Sequence, residues 1–161
     1  MPEDIFISAV KTIAALYKDH YPADEQCAMY LRPSAYGTDV SLTIEPSEAY
    51  RFTVHAAPTL PFATTMKSVF IERTGARSSV GGTGHVKAAG NYAGSYLSLL
   101  RAQKRGCATT LWLDPLERRY IDELSLMNFF AVIDGVLTTP TLNGTFLIFQ
   151  IHRMHGEPKA P

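Results

Sequence analysis

The chain is poor in several things at once: it has only two cysteines, no excess of either charge and no long apolar run. Cys27 and Cys107 lie far apart and match neither a disulfide framework nor a zinc motif, so both read as reduced, mostly buried thiols. Fifteen Lys and Arg balance fifteen Asp and Glu, which removes the concentrated positive field that nucleic acid or an anionic membrane surface needs. The apolar runs are far too short to span a bilayer. Met1 to His20 mixes acids and bases without the basic, apolar, small order of a secretory signal. These absences leave a soluble intracellular globular protein as the expectation, with neither nucleic-acid nor membrane partners. A chain of 161 residues suffices for one core that buries roughly two thirds of the unfolded surface.

What is present is a mixed α/β pattern. Ile5, Ala9, Ile13 and Leu16 or Tyr17 recur at helical spacing behind Pro2, Glu3 and Asp4, a suitable helix start. Cys27 to Pro33, Val40 to Glu45 and Tyr50 to Ala57 read as three strands, the first two around the loop Tyr36-Gly37-Thr38-Asp39. Pro58 to Thr65 reads as a linker. Beyond it, Lys67 to Glu72 is an expected strand and Ser79 to Lys87 a glycine-rich loop. Asn91 to Arg105 is an expected helix whose Tyr92, Tyr96, Leu99 and Leu100 share a face, closed at Gly106. Cys107 to Leu113 reads as a buried strand, Tyr120 to Glu123 as a short extended piece, and Asn128 to Ile133 with Val136 to Thr139 as a hairpin around Asp134-Gly135.

Few residues carry chemistry of their own. The five histidines have no metal spacing, and no metal site is expected. Gly81-Gly82-Thr83-Gly84 fits neither phosphate-loop pattern, because its spacing is wrong and Lys87 is not followed by Ser or Thr. Lys87 differs from the other lysines in its setting. It sits between a glycine run and Ala88-Ala89-Gly90, small neighbours that let a planar group approach, and a desolvated lysine is a Schiff-base nucleophile.

The block Gly81 to Leu97 (GGTGHVKAAGNYAGSYL) is followed by Gly106-Cys107, Leu111-Trp112-Leu113-Asp114, Tyr120-Ile121-Asp122-Glu123 and Met127-Asn128-Phe129-Phe130. With Tyr30-Leu31-Arg32-Pro33 before it and Leu137-Thr138-Thr139-Pro140 after it, this series closely resembles the branched-chain amino-acid aminotransferases, pyridoxal 5'-phosphate enzymes of the class IV aminotransferase fold. The resemblance spans about residues 5 to 147. It implies an α/β (α+β) two-domain architecture cut at both ends: residues 1–57 as the C-terminal part of the small domain, 58–65 as linker, 66–147 as the first half of the cofactor domain and 148–161 as a divergent tail.

The resemblance also implies roles. Lys87 stands at the Schiff-base lysine, holding the cofactor and moving the proton of the substrate Cα. Glu123 matches the carboxylate facing the pyridine nitrogen, and Tyr92 the tyrosine that hydrogen-bonds the phenolic oxygen. Tyr30 and Arg32 match substrate-side residues, an aromatic wall and a guanidinium for a carboxylate, and Asn128 is a weaker cofactor-side candidate. The implied reaction moves the amino group of leucine, isoleucine or valine to 2-oxoglutarate, in a homodimer or with another chain, in the cytoplasm or the mitochondrion. Two departures support an alternative, a truncated non-catalytic relative. Leu124-Ser125-Leu126 puts bulk where the family has small residues or Thr, and the family's Pro-Gly phosphate loop is replaced by Ile148 to Pro161.

Overall fold

The computed structural model describes residues 1–24, 27–60 and 65–147, and the chain divides into two compact units, Met1–Thr64 and Thr65–Pro161. The tail 148–161 lies outside the described residues, as do positions 61–64 of the stretch read as linker.

The first unit is a helix on a two-stranded sheet. Helix α1, Glu3–Leu16, starts with Pro2 before it and with Glu3 and Asp4 in its first turn, where carboxylates favour the positive end of the helix dipole. Its least exposed stripe is Phe6, Ala9, Val10, Ile13 and Ala14. That stripe is rotated from the expected one, because Phe6 rather than Ile5 meets the sheet, its ring 5.9 Å from that of Phe52. Ile5 and Leu16 are exposed. A 3-10 turn, Lys18–His20, follows. Strands β1, Ala28–Gly37, and β2, Tyr50–Thr59, pair antiparallel from Ala28 opposite Thr59 to Gly37 opposite Tyr50. β2 therefore continues through Pro58 and Thr59.

The strand expected over Val40 to Glu45 is absent. Val40, Leu42 and Ile44 stand fully in solvent, and no backbone ladder forms there. Asp39 closes the connection instead, its carboxylate accepting from the backbone N–H groups of Glu48 (2.5 Å) and Ala49 (3.3 Å), while Ser41, Thr43 and Glu45 hydrogen-bond among themselves. Alternation alone cannot make a strand when no edge is offered to pair with it.

The second unit holds the core. β3, Val69–Glu72, runs parallel to β4, Thr109–Leu113, which pairs antiparallel with β5, Ile121–Leu124, through an irregularity at Trp112/Leu113. All five residues of β4 are buried, as suits a central strand covered on both faces. Between β3 and β4 lie α2, Gly90–Ala93, and α3, Tyr96–Lys104, where the pattern suggests one helix over Asn91 to Arg105. The interruption falls at Gly94-Ser95, a pair of weak helix formers.

The inward face of α3 also differs from the expected one. Ser98 and Ala102 are buried, whereas Tyr96, Leu97 and Leu100 are more than half exposed. Small side chains let the helix sit close to the sheet, and the Ser98 hydroxyl donates to Glu72 Oε2 at 2.7 Å. Gly106, at φ +73°, closes the helix in the left-handed conformation that glycine tolerates best. Finally β6, Ala131–Ile133, and β7, Val136–Thr138, form a hairpin through Asp134-Gly135, both at positive φ. No helix among the described residues is long and apolar enough to cross a membrane.

Candidate active site

The second unit brings four of the residues singled out by sequence to one small cavity of about 40 Å³. Lys87, Tyr92, Glu123 and Asn128 all line it, together with Arg77, Leu126 and Met127. Each arrives from a different element. The glycine run delivers Lys87, α2 delivers Tyr92, β5 delivers Glu123, and the turn after β5 delivers Asn128. A larger groove of about 750 Å³ in the same unit, walled by Val80, Leu116, Ile121 and Phe129, contains none of the expected site residues.

Lys87 and Tyr92 are in direct contact. The lysine Nζ donates to the tyrosine Oη at 2.5 Å, so the amine is held by the phenol oxygen. Lys87 is exposed and Tyr92 half-buried.

Glu123 is buried beside a residue that the sequence reading missed. Arg77 Nε lies 2.6 Å from Glu123 Oε2, with both side chains almost fully enclosed. The same guanidinium donates through Nη2 to the carbonyls of Thr145 (2.7 Å) and Gly84 (3.2 Å). Asn128 Nδ2 donates to Glu123 Oε1 at 3.1 Å and to the Leu147 carbonyl at 3.1 Å. Burial raises the Glu123 carboxyl from 4.5 to about 7. Arg77 works against that rise, the neighbouring Asp122 charge adds to it, and Lys87 opposes it more weakly.

Asp122, next on the strand, points to the opposite face, as the period of two demands, and borders the larger groove. Burial raises its carboxyl too, against the hydroxyl of Thr145, which donates to both of its oxygens at 2.8 and 2.9 Å. Thr145 thus holds Asp122 with its hydroxyl and Arg77 with its carbonyl.

The bulk expected from Leu124-Ser125-Leu126 is distributed unevenly. Ser125 is buried and accepts the Trp112 indole N–H at 3.0 Å, while Leu126 is 70% exposed at the rim of the small cavity.

Tyr30 and Arg32 belong to the first unit. They lie on the more exposed face of β1, with the Arg32 guanidinium stacked 4.9 Å from the Tyr30 ring centre. Among the described residues no group of three or more His, Cys, Asp or Glu could hold a metal ion.

An amine on a phenol, and a buried carboxylate held by a guanidinium on another wall of the same cavity, define a lysine-centred site on an α/β scaffold. Residues 4–148 match the amino-transferase class IV family, and the chain belongs to it. It is 37% identical over 155 residues to the branched-chain-amino-acid aminotransferase of Mycolicibacterium smegmatis, a match that covers 91% of this chain and 42% of that enzyme. It is 33% identical over 151 residues to branched-chain-amino-acid transaminase 1 of Bacillus subtilis, with 91% and 42% coverage. The chain thus spans well under half the length of these relatives.

Its fold is similar to that of an aminotransferase from Brucella abortus bound to the cofactor PLP (TM-score 0.72, 22% identity, 92% of this chain and 55% of that one). It is likewise similar to the branched-chain aminotransferase from Thermoproteus uzoniensis solved with norvaline (TM-score 0.68, 22% identity, 90% and 48%). The class IV fold expected from the motifs is therefore the fold of this chain.

Proposed function

We propose that the chain carries the lysine half of a pyridoxal 5'-phosphate site, with branched-chain amino acids and 2-oxo acids as the substrate class. The observation that carries this reading is the convergence of Lys87, Tyr92 and Glu123 on one cavity. The donor set fits the ring end of the cofactor: an amine for the aldehyde, a phenol for the phenolic oxygen and a carboxylate for the pyridine nitrogen. Asn128 adds to the fit, because its buried Oδ1 has no hydrogen-bond partner among the described residues and can accept one.

When bound, pyridoxal phosphate supplies an electron sink for the pair released from the substrate Cα. The protein residues do the rest. Lys87 Nζ would hold the cofactor through its aldehyde carbon and, once the substrate amine had displaced it, would be free to take and return the Cα proton. Tyr92 Oη fixes the amine and donates to the phenolic oxygen. Glu123, with its carboxyl brought to about 7 and Arg77 at its back, holds a proton at the pyridine nitrogen. Leu126 and Met127, both more than half exposed, must move aside, since a cavity of about 40 Å³ has room for only a few water molecules. Tyr30 and Arg32 are assigned to the substrate side on the family resemblance.

A second reading, a non-catalytic relative that lacks the cofactor's phosphate anchors, is favoured by one observation. Among the described residues, Arg77 and Lys87 are the only basic ones lining the cavity, and the Arg77 guanidinium is committed to Glu123 and two carbonyls. No cation among them is left for the cofactor phosphate, and a phosphate without charged partners loses its strongest hydrogen bonds.

One experiment separates the two readings. The protein is mixed with pyridoxal phosphate, trapped with borohydride and mapped by mass spectrometry, and amino transfer from leucine to 2-oxoglutarate is assayed in parallel. Label on Lys87 that vanishes in Lys87→Ala, together with transfer, supports the transaminase. Label without transfer supports the second reading. No label on Lys87 at saturating cofactor refutes the transaminase and is the outcome the missing phosphate anchors predict at their strongest.

A further inference from the structure

Asn91 lies next to Tyr92 in α2, and its side chain is occupied entirely by the loop that delivers Lys87. Its Nδ2 donates to the carbonyls of Thr83 (2.6 Å) and Val86 (2.8 Å), and its Oδ1 accepts the Thr83 hydroxyl at 2.7 Å. Two carbonyl acceptors on one side and a hydroxyl donor on the other fix which end of the amide is which. The loop's own backbone bonds are few: Gly82 N–H to Ser79 O, Val86 N–H to Thr83 O and Ala88 N–H to Val86 O. Glycines at 81, 82 and 84 give this stretch more conformational freedom to lose than other residues at those positions would.

We infer that Asn91 is a positioning residue for Lys87, a cross-brace that ties residues 83–86 to the turn carrying Tyr92. The inference rests on Lys87 being the reactive amine. Lys87 lies inside the closed segment between Thr83 and Asn91, so neither end of that segment moves relative to Tyr92 while the three bonds hold. The residue type follows from the geometry. Aspartate accepts the Thr83 hydroxyl but has no donor for the two carbonyls and faces them with a charge, and alanine makes none of the three bonds. Valine at position 83 removes only the hydroxyl contact.

The test uses the full chain and its Asn91→Ala, Asn91→Asp and Thr83→Val variants in two measurements. The first, without cofactor, follows amide hydrogen exchange at Val86 and Ala88, with Leu111 and Trp112 as internal references. The second traps pyridoxal phosphate with borohydride and reads the share of label on Lys87 against Lys67 and Lys104. The brace predicts that both Asn91 variants exchange about tenfold faster at 86 and 88 and lose about tenfold of the Lys87 share. The references should stay unchanged and Thr83→Val should fall between. Should Asn91→Ala fail to fold, Asn91→Asp, which keeps the shape, decides alone. Unchanged exchange in Asn91→Asp overturns the brace, and faster exchange with an unchanged Lys87 share overturns the positioning role. A wild-type chain that shows no preference for Lys87 overturns the underlying reading of the lysine, and the positioning role with it, whatever the exchange rates show.

Discussion

The pairing of Glu123 with Arg77 invites the expectation that removing the carboxylate is costly, and the burial of Glu123 predicts the reverse at alkaline pH. The folded protein holds a proton on this carboxyl up to about pH 7, whereas the unfolded chain releases it near 4.5. A pKa raised by folding contributes stability that is complete below the unfolded value and is lost as pH rises through the folded value. At about 1.4 kcal/mol per pH unit, the wild-type second unit should therefore lose roughly 3 kcal/mol between pH 4.5 and pH 8 from this group. Glu123→Gln mimics the protonated side chain at every pH. It should match the wild type near pH 5 and exceed it by up to about 3 kcal/mol at pH 8, although it breaks an ion pair at 2.6 Å. Trp112, buried in β4 and the only tryptophan, reports urea unfolding of this unit by fluorescence. The informative quantity is the difference between wild type and variant as a function of pH, which cancels the histidines. A variant less stable than wild type by about 3 kcal/mol or more at pH 8, with no change in that difference down to pH 5, would overturn the predicted sign. It would mean that the guanidinium holds Glu123 ionised throughout.

Glu72 has the opposite sign. Burial alone would raise its carboxyl, but hydrogen bonds from Ser98, from the Thr74 hydroxyl and N–H and from the Gly75 N–H outweigh it and bring the group from 4.5 to about 2. Its stability contribution is present above pH 4.5 and disappears as pH falls toward 2. Glu72→Gln should then cost ~2 kcal/mol at pH 7, discounted for the solvated Arg101 side, and little at pH 2. Acid titration of Trp112 fluorescence checks it. Gly84→Ala should cost ~3 kcal/mol in urea unfolding, because the added Cβ would collide with the Thr145 carbonyl and the Ser78 hydroxyl, neither of which is a flexible chain end. A loss below about 0.5 kcal/mol would show that this approach relaxes without effort.

The second unit was the more legible in sequence. β4 announced itself as a run without a single charge, Cys107 to Leu113, and the hairpin as Asp134-Gly135. What stayed hidden had no periodicity to betray it. Arg77 sits in a stretch without pattern, and only the folded chain brings it to Glu123 from one side and to Gly84 and Thr145 from the other. The apolar stripe on α3 misled because Ser98 and Ala102, small and inconspicuous in composition, face the sheet while Tyr96 and Leu100 do not. Val40, Leu42 and Ile44 alternate as a strand should, but pairing depends on what lies alongside, and nothing among the described residues does.

Thr145 makes residues 122 and 123 answer to a common neighbour. Its hydroxyl is engaged by Asp122 and its carbonyl by Arg77, which in turn faces Glu123, so two acids on opposite faces of β5 share one tether. Anything that draws residue 145 outward strips a hydrogen bond from each side of the strand at once. Thr145 therefore couples the small cavity beside Glu123 on one face of β5 to the larger groove beside Asp122 on the other.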